Sequence, residues 1–181
     1  MLVAGTSGAG KSTLSAALVQ AGFDYVSDDW TYIARGDAGL LAHGLSARIK
    51  LLPDAIAHFP LLAGHPLVTA LNGELAYEVG ADTFGGAIVR SCKPLCCIFL
   101  ERDAQFTSSF ARMNVEHVRL GFQSSVERLP SLLADAARTR SKIIEQLACL
   151  PCWMFRYRGT PQFAAQEILS FVSNQTQVLM A

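Results

Sequence analysis

The sequence predicts an α/β protein in which a mixed sheet is flanked by helices and carries a small hairpin-rich insertion. Hydrophobic residues make up 51% of the 181 residues and charged residues only 17%. This composition is typical of an interior-rich, layered protein and excludes a disordered chain. Short apolar runs also alternate with stretches of helical periodicity. Because the length matches one ordinary domain, we expect residues 1–181 to form a single domain.

The first third of the chain alternates between apolar runs and turn signals. A Gly-rich turn follows the opening apolar run, and Leu14, Leu18 and Ala21 then recur at helical spacing. Gly22 is placed where a helix ends, and Pro53 is placed where a strand ends. We expect a strand at 1–4, a helix at 11–21, a strand at 23–27, a hairpin at 31–42 and a strand at 47–52.

The remainder of the chain is expected to supply a central strand and three more helices. Residues 60–86 carry several Gly and Pro and predict a loop-rich stretch with one strand at 75–79. The fully apolar run at 95–100 is typical of a buried central strand. Beyond it we expect helices at 104–113 and 131–147, a strand at 152–157, and a helix at 162–172 that begins near Pro161.

A phosphate-binding loop is the most informative motif. Residues 5–12, Gly-Thr-Ser-Gly-Ala-Gly-Lys-Ser, satisfy the pattern G-x-x-x-x-G-K-[ST] between a predicted strand and a predicted helix. Glycines allow backbone N–H groups to point at an anion, and the helix start adds its dipole. Lys11 should reach the β and γ phosphates of ATP, and Ser12 should bind Mg²⁺. The predicted nucleotide-binding residues are Gly5, Ser7, Gly8, Ala9, Gly10, Lys11, Ser12 and Thr13.

An acidic pair, Asp28-Asp29, is expected beside this loop. The predicted helix at 11–21 leads about 16 Å away at roughly 1.5 Å per residue. The predicted strand at 23–27 returns about 16 Å at roughly 3.3 Å per residue. If the two pack antiparallel, one carboxylate can hold Mg²⁺ while the other accepts a proton from an attacking hydroxyl. The alternative interpretation of the pair is a solvated turn or a helix cap.

These residues resemble the HPr kinase/phosphorylase group and its bacterial serine-kinase-like relatives, whose kinase core has the phosphoenolpyruvate-carboxykinase type of phosphate-loop fold. The resemblance rests on the run at 5–14, on Ala21-Gly22-Phe23 and on Val26-Ser27-Asp28-Asp29. Weaker similarities are found at 50–54, 99–102 and 155–161. The resemblance implies that Asp28 is the general base toward a serine hydroxyl and that Asp29 lies at the metal and phosphate.

The resemblance implies an ATP- and Mg²⁺-dependent phosphotransferase whose acceptor is a serine of a protein or peptide. The upstream His-Gly segment of the HPr enzymes is not found, and neither is their Glu-Ile-Arg-Gly stretch, although residues 72–74, which include Glu74, fall at a similar place. We therefore expect a precursor peptide or another protein rather than HPr as acceptor. Two alternatives remain open: a small-molecule kinase of the shikimate or nucleotide type, and a nucleotide-binding sensor without phosphotransfer.

Three basic residues outside the loop are further candidates. Arg48 and Lys50 alternate on a predicted strand and so share one face, where they could hold a phosphate or an acidic acceptor. An ordinary solvated strand face explains them equally well. Arg102 follows the predicted central strand directly, where loops of open α/β sheets meet ligands, and is a candidate nucleotide contact.

Charge and cysteine content limit the partners. Fifteen basic residues balance fifteen acidic ones, so no net field attracts nucleic acid or an anionic membrane. The sequence shows neither a signal peptide nor a transmembrane run, and its five cysteines form an odd set. We therefore expect a cytoplasmic protein with reduced thiols that bind no structural metal. Relatives in the HPr group form hexamers, so the resemblance also implies a homo-oligomer.

Overall fold

The computed structural model describes residues 1–28, 30–37, 39–70, 73–103, 105, 107–126, 130 and 133–180, with side chains described as far as residue 175. The strands are β1 (Leu2–Ala4), β2 (Thr31–Gly36), β3 (Gly39–Gly44), β4 (Arg48–Leu51), β5 (Leu67–Thr69), β6 (Leu75–Gly80), β7 (Ser91–Cys92), β8 (Cys97–Arg102), β9 (Ser109–Arg112) and β10 (Cys152–Tyr157). The α-helices are α1 (Lys11–Gln20), α2 (Val115–Ser125), α3 (Ala134–Ala148) and α4 (Pro161–Met180). Short 3₁₀ helices cover Pro53–Ala57, Pro60–Gly64 and Ala81–Phe84.

The protein is mixed α/β, with sheets flanked by helices, as the sequence predicts. The largest sheet has the order β1-β8-β10-β9, in which β1 and β10 run parallel to β8 while β9 is antiparallel to β10. Two three-stranded sheets have the orders β2-β3-β7 and β4-β6-β5. No helix within the described part of the chain has the length and apolar character needed to cross a membrane.

The chain divides into two compact units. The first comprises Met1–Lys11, Tyr32–His43 and Ser91–Arg158, and the second comprises Ser12–Thr31, Gly44–Arg90 and Gly159–Ala181. The phosphate-loop segment up to Lys11 belongs to the first unit, and the chain passes into the second unit within α1. The expectation of a single domain stays a prediction.

In the first unit, α2 and α3 cover one face of the four-stranded sheet. Phe99 of β8 meets Phe122 of α2 edge to face, with ring centroids 5.2 Å apart. Gly121 permits this approach, because a Cβ there would collide with the Phe99 ring. The buried members of this core are Ala4, Cys97, Phe99, Val118, Phe122, Ile144, Leu147, Ala148 and Cys152. The apolar core therefore holds the sheet from which the phosphate loop emerges.

In the second unit, β4 and β6 pair antiparallel and bury alternate side chains. Ile49 and Leu51 of β4 are 0% and 1% exposed, as expected for the core face of a strand. Phe59 packs edge to face on Phe84 at 5.1 Å. Five α1 side chains are also buried: Leu14, Ala16, Ala17, Leu18 and Val19. Burial of this helix fixes the start of the second unit at Ser12.

Most predicted elements are confirmed, and the predicted strand at 152–157 coincides with β10. The last helix, predicted at 162–172, extends to Met180, and strand β5 was not predicted. The predicted helix at 104–113 is wrong, because Ser109–Arg112 is a strand paired with β10. Phe110 stacks on Phe155 with ring centroids 4.2 Å apart, so packing between strands overrides the local helical pattern. Helix α2 was not predicted, although Asn114 caps it by accepting a bond from the His117 N–H at 2.8 Å.

The predicted strand at 23–27 is reduced to one residue pair. Tyr25 forms an isolated parallel bridge with Ile88. The Tyr25 N–H donates to Ala87 O and the Val89 N–H donates to Tyr25 O, each at 2.8 Å. With one bridged residue pair, the segment does not form a strand.

Candidate functional site

The phosphate loop adopts backbone conformations that favour glycine. Gly5, Gly8 and Gly10 have φ values of +150°, +80° and +87°, which other residues rarely adopt. The Ala9 N–H donates to Thr6 O at 3.2 Å and closes a turn within the loop. Thr6, Ser7 and Gly8 are exposed at the tip. The loop therefore presents main-chain groups to solvent immediately before α1 begins at Lys11.

Two of these glycines are also required by close neighbours in the first unit. A Cβ on Gly5 would lie 2.8 Å from Leu100 O in β8, and a Cβ on Gly10 would lie 3.1 Å from the Tyr157 hydroxyl at the end of β10. The loop thus packs against β8 and β10. The Gly pattern of the motif therefore has a steric as well as a conformational cause.

Lys11, the cation of the motif, is held against the loop backbone. Its Nζ donates to Gly5 O at 3.1 Å and to Thr6 O at 2.9 Å. Both acceptors are neutral carbonyls, which are weaker partners for an ammonium than a phosphate oxygen. The side chain is therefore already folded over the loop and can exchange these bonds for a bound anion.

Ser12 and Asp28 are hydrogen-bonded in the second unit. Ser12 Oγ donates to Asp28 Oδ1 at 3.1 Å, and the second carboxylate oxygen, Oδ2, is buried. The predicted proximity of the acidic pair to the motif is therefore confirmed for Asp28. Thr13, the last predicted nucleotide-binding residue, is half-buried in the first turn of α1. Asp29 lies outside the described residues.

Hydrogen bonds hold the residues on either side of Asp28. Ser27 Oγ donates to Trp30 O at 2.8 Å, and Thr31 Oγ1 donates to Asp28 O at 3.4 Å. The Leu45 N–H donates to Trp30 O at 3.1 Å. These bonds join the residues that flank Asp28 to one another and to Leu45.

Gly44 is a positioning residue that the sequence interpretation missed. A Cβ on Gly44 would collide with the carbonyl oxygen of Val26 and with the Ser27 side chain. Only glycine therefore allows the end of β3 to lie against the segment that leads into Asp28. A glycine at a strand end was the only local signal of this close approach.

Arg102 lies at the carboxyl edge of the four-stranded sheet. It is the last residue of β8, is exposed, and is the register partner of Tyr157 on β10. The phosphate loop follows β1, which runs parallel to β8, so the loop and Arg102 extend from the same edge. Arg102 stays a candidate nucleotide contact within the first unit.

Arg48, Lys50 and Glu74 all belong to the second unit, in which Lys50 contacts Glu74 while Arg48 pairs at the other end of β6. Lys50 Nζ forms an ion pair with Glu74 Oε2 at 2.9 Å, and Arg48 Nη1 donates to Glu78 O at 3.0 Å. Glu74 is exposed while Lys50 is half-buried. These contacts suit a solvated strand face as well as an acceptor site, so the role of the three residues in binding an acceptor stays a prediction.

All five cysteines are free thiols. Cys97 and Cys152 are register partners on β8 and β10, and both are buried. The neighbouring Cys152 thiol, together with burial, raises the pKa of Cys97 well above its usual range. The neighbouring Cys97 thiol lowers the pKa of Cys152, whose Sγ donates to Leu147 O at 3.9 Å. Across the part of the chain that the structure describes, no group of three or more His, Cys, Asp or Glu side chains is arranged to hold a metal ion.

A scan against protein-family models matched none of them, and a search of curated proteins found no significant relative. The resemblance to the HPr kinase/phosphorylase group therefore rests on the residues alone and stays a prediction. Fold and site define a mixed α/β protein in which a glycine-rich loop precedes a helix whose second residue, Ser12, is bonded to an acid.

Proposed function

We propose that this protein has a phosphate-loop kinase fold and transfers the γ-phosphoryl group of ATP to a hydroxyl, with serine of a protein or peptide as acceptor. The observation that supports this most is the 3.1 Å bond between Ser12 Oγ and Asp28 Oδ1. Phosphate-loop enzymes hold Mg²⁺ with the loop Ser or Thr and an Asp on another segment. The bond joins these two ligand types, which lie sixteen residues apart in the chain.

The residues present fit ATP and Mg²⁺. Positive φ at Gly5, Gly8 and Gly10 supports this, because such conformations allow successive main-chain N–H groups to point at an anion. Lys11 supplies a cation on the same loop. The oxygens of Ser12 and Asp28 are hard ligands of the kind that Mg²⁺ prefers. When held there, the ion would neutralise part of the phosphate charge.

The chain's own residues would then act in sequence. Loop N–H groups and Lys11 bind the phosphates, so the γ-phosphorus is oriented toward the acceptor. The acceptor hydroxyl forms the new P–O bond while the bond between the γ-phosphorus and the bridging oxygen breaks. ADP leaves with that oxygen. Asp28 takes the proton of the hydroxyl, so the products are a phosphate monoester, ADP and a proton on the carboxylate.

The bond to Ser12 leaves a second role open for Asp28. A carboxylate that contacts the Ser12 hydroxyl lies where a metal ligand is expected, whereas the resemblance implies a general base there and a metal ligand at Asp29. The two roles predict different effects of Mg²⁺ concentration on the transfer rate. Comparing Asp28→Asn with Asp29→Asn measures that difference.

Incubation with γ-labelled ATP and a cell extract, followed by separation by size, tests the proposal. We expect label in the protein or peptide fraction, recovered as phosphoserine by mass spectrometry. Lys11→Ala should remove it. Label confined to small molecules would favour a small-molecule kinase, and ATP binding without label would favour a sensor. Absence of both binding and transfer would overturn the proposal.

A further inference from the structure

Tyr157 is a buried hydroxyl-bearing residue that the proposed mechanism does not use. It is the last residue of β10 and is 3% exposed. Its ring stacks on Phe155 with centroids 5.5 Å apart, and Phe155 stacks on Phe110 at 4.2 Å. Since side chains alternate along a strand, this aromatic row lies on the sheet face opposite Cys152 and Met154. The stacking leaves the ring little freedom to turn away.

The hydroxyl of Tyr157 points at the phosphate loop. A Cβ on Gly10 would lie 3.1 Å from the hydroxyl oxygen, so this oxygen lies on the side of Gly10 where a side chain would project. Both residues belong to the first unit. The loop is therefore bordered on this side by a polar atom as well as by main chain.

This hydroxyl remains a proton donor over the physiological pH range. Burial raises the pKa of Tyr157, an effect that the nearby Arg102 charge opposes. No hydrogen bond joins the hydroxyl to another residue in the described part of the chain, and its oxygen is not one of the fully buried side-chain atoms that lack a partner. The hydroxyl oxygen is therefore accessible although the ring is buried, and a ligand oxygen at the loop can replace water as the acceptor of its proton.

We propose that the Tyr157 hydroxyl is a further phosphate-binding group, donating a hydrogen bond to an oxygen of the nucleotide phosphates held by the loop. This inference rests on the proposed function, since it requires nucleotide binding at residues 5–13. It adds a side-chain donor from β10 to the main-chain donors and Lys11. The alternative is that the hydroxyl only spaces Gly10 from the sheet.

Tyr157→Phe tests the inference, because it removes one oxygen and keeps the stacked ring. A hydrogen bond to a charged group contributes to the free energy of binding. We therefore expect the Kd for Mg-ATP and Mg-ADP, measured by isothermal titration calorimetry, to rise about tenfold or more when this bond is lost. Adenosine, which lacks phosphates, should bind both proteins equally. The melting temperature of the ligand-free variant should not fall, since no protein partner is lost.

Tyr77→Phe is the matched control, because Tyr77 is another buried tyrosine but lies on β6. Its Kd values should equal those of the unmodified protein. Suppose that the unmodified protein binds Mg-ATP normally and Lys11→Ala does not bind it. Unchanged affinity of Tyr157→Phe for Mg-ATP and Mg-ADP would then overturn the role of Tyr157 alone. A lower melting temperature with unchanged affinity would show a spacer and would also overturn it. Failure of the unmodified protein to bind Mg-ATP would overturn both proposals.

Discussion

Replacing Asp28 by Asn separates an enzyme from a sensor. Asparagine keeps the size of the side chain and a carbonyl oxygen that can still accept from Ser12 Oγ, which lies 3.1 Å from Asp28 Oδ1. Only the negative charge and the ability to take a proton are lost. A hydrogen bond to a charged group stabilises by about 1.5–3 kcal/mol and a neutral one by about 0.5–1.5. We therefore expect the free energy of unfolding to fall by only about 1 kcal/mol.

The expected effect on turnover is much larger. A general base contributes about 10²- to 10⁴-fold, equivalent to roughly 3 to 5 kcal/mol of barrier. Turnover of Asp28→Asn should fall by that factor, while the Kd for ATP should change little because Lys11 and the loop amides bind the phosphates. Steady-state transfer from labelled ATP, measured across a range of Mg²⁺ concentrations, gives both quantities.

Asp29→Asn is the matched control, since it makes the same chemical change at the next residue. If Asp29 serves the metal, its loss should raise the Mg²⁺ concentration needed for half-maximal rate. If Asp28→Asn shows that Mg²⁺ dependence instead and recovers full turnover at saturating Mg²⁺, the two roles are exchanged. A double-mutant cycle of Ser12→Ala with Asp28→Asn should show coupling. Full activity in both Asn variants would refute the reasoning and leave the acidic pair as a solvated turn.

Four further predictions follow from single structural features. Lys11→Ala should abolish the thermal stabilisation by ATP and Mg²⁺, and an equal shift in both proteins would exclude the phosphate-loop assignment. Gly44→Ala should lower the free energy of unfolding in urea by roughly 1–3 kcal/mol, because the added methyl group collides with main chain; Gly64→Ala, which meets nothing within 4 Å, is its control. Elemental analysis of protein purified without chelator should find no stoichiometric zinc. Near-stoichiometric zinc would instead indicate that the cysteines form a metal site. Burial raises the pKa of Tyr157 in the folded protein above its value in the unfolded chain. The contribution of the neutral Tyr157 side chain to the free energy of unfolding should therefore be complete below about pH 10 and be lost as pH rises through the folded pKa. The same loss in Tyr157→Phe, measured by unfolding at a series of pH values, would contradict this.

Local sequence patterns determined much of the fold. The apolar run at 152–157, the helical spacing after Lys11 and the glycine pattern of the loop each act over a few residues, and the structure has β10, α1 and three positive φ values there. Such features follow from steric limits and side-chain periodicity, which neighbouring residues alone decide. The length match between helix and returning chain also brought Asp28 to Ser12.

Only the tertiary structure decided the features that depend on residues far apart in the chain. Residues 109–112 are a strand because β10 supplies the pairing and Phe155 the stacking partner for Phe110. The approach of the Tyr157 hydroxyl to Gly10 likewise has no local pattern, and a glycine at a strand end does not identify Val26 as the neighbour of Gly44. Contacts of this kind arise when packing brings distant segments within van der Waals distance, so no window of sequence contains the information that specifies them.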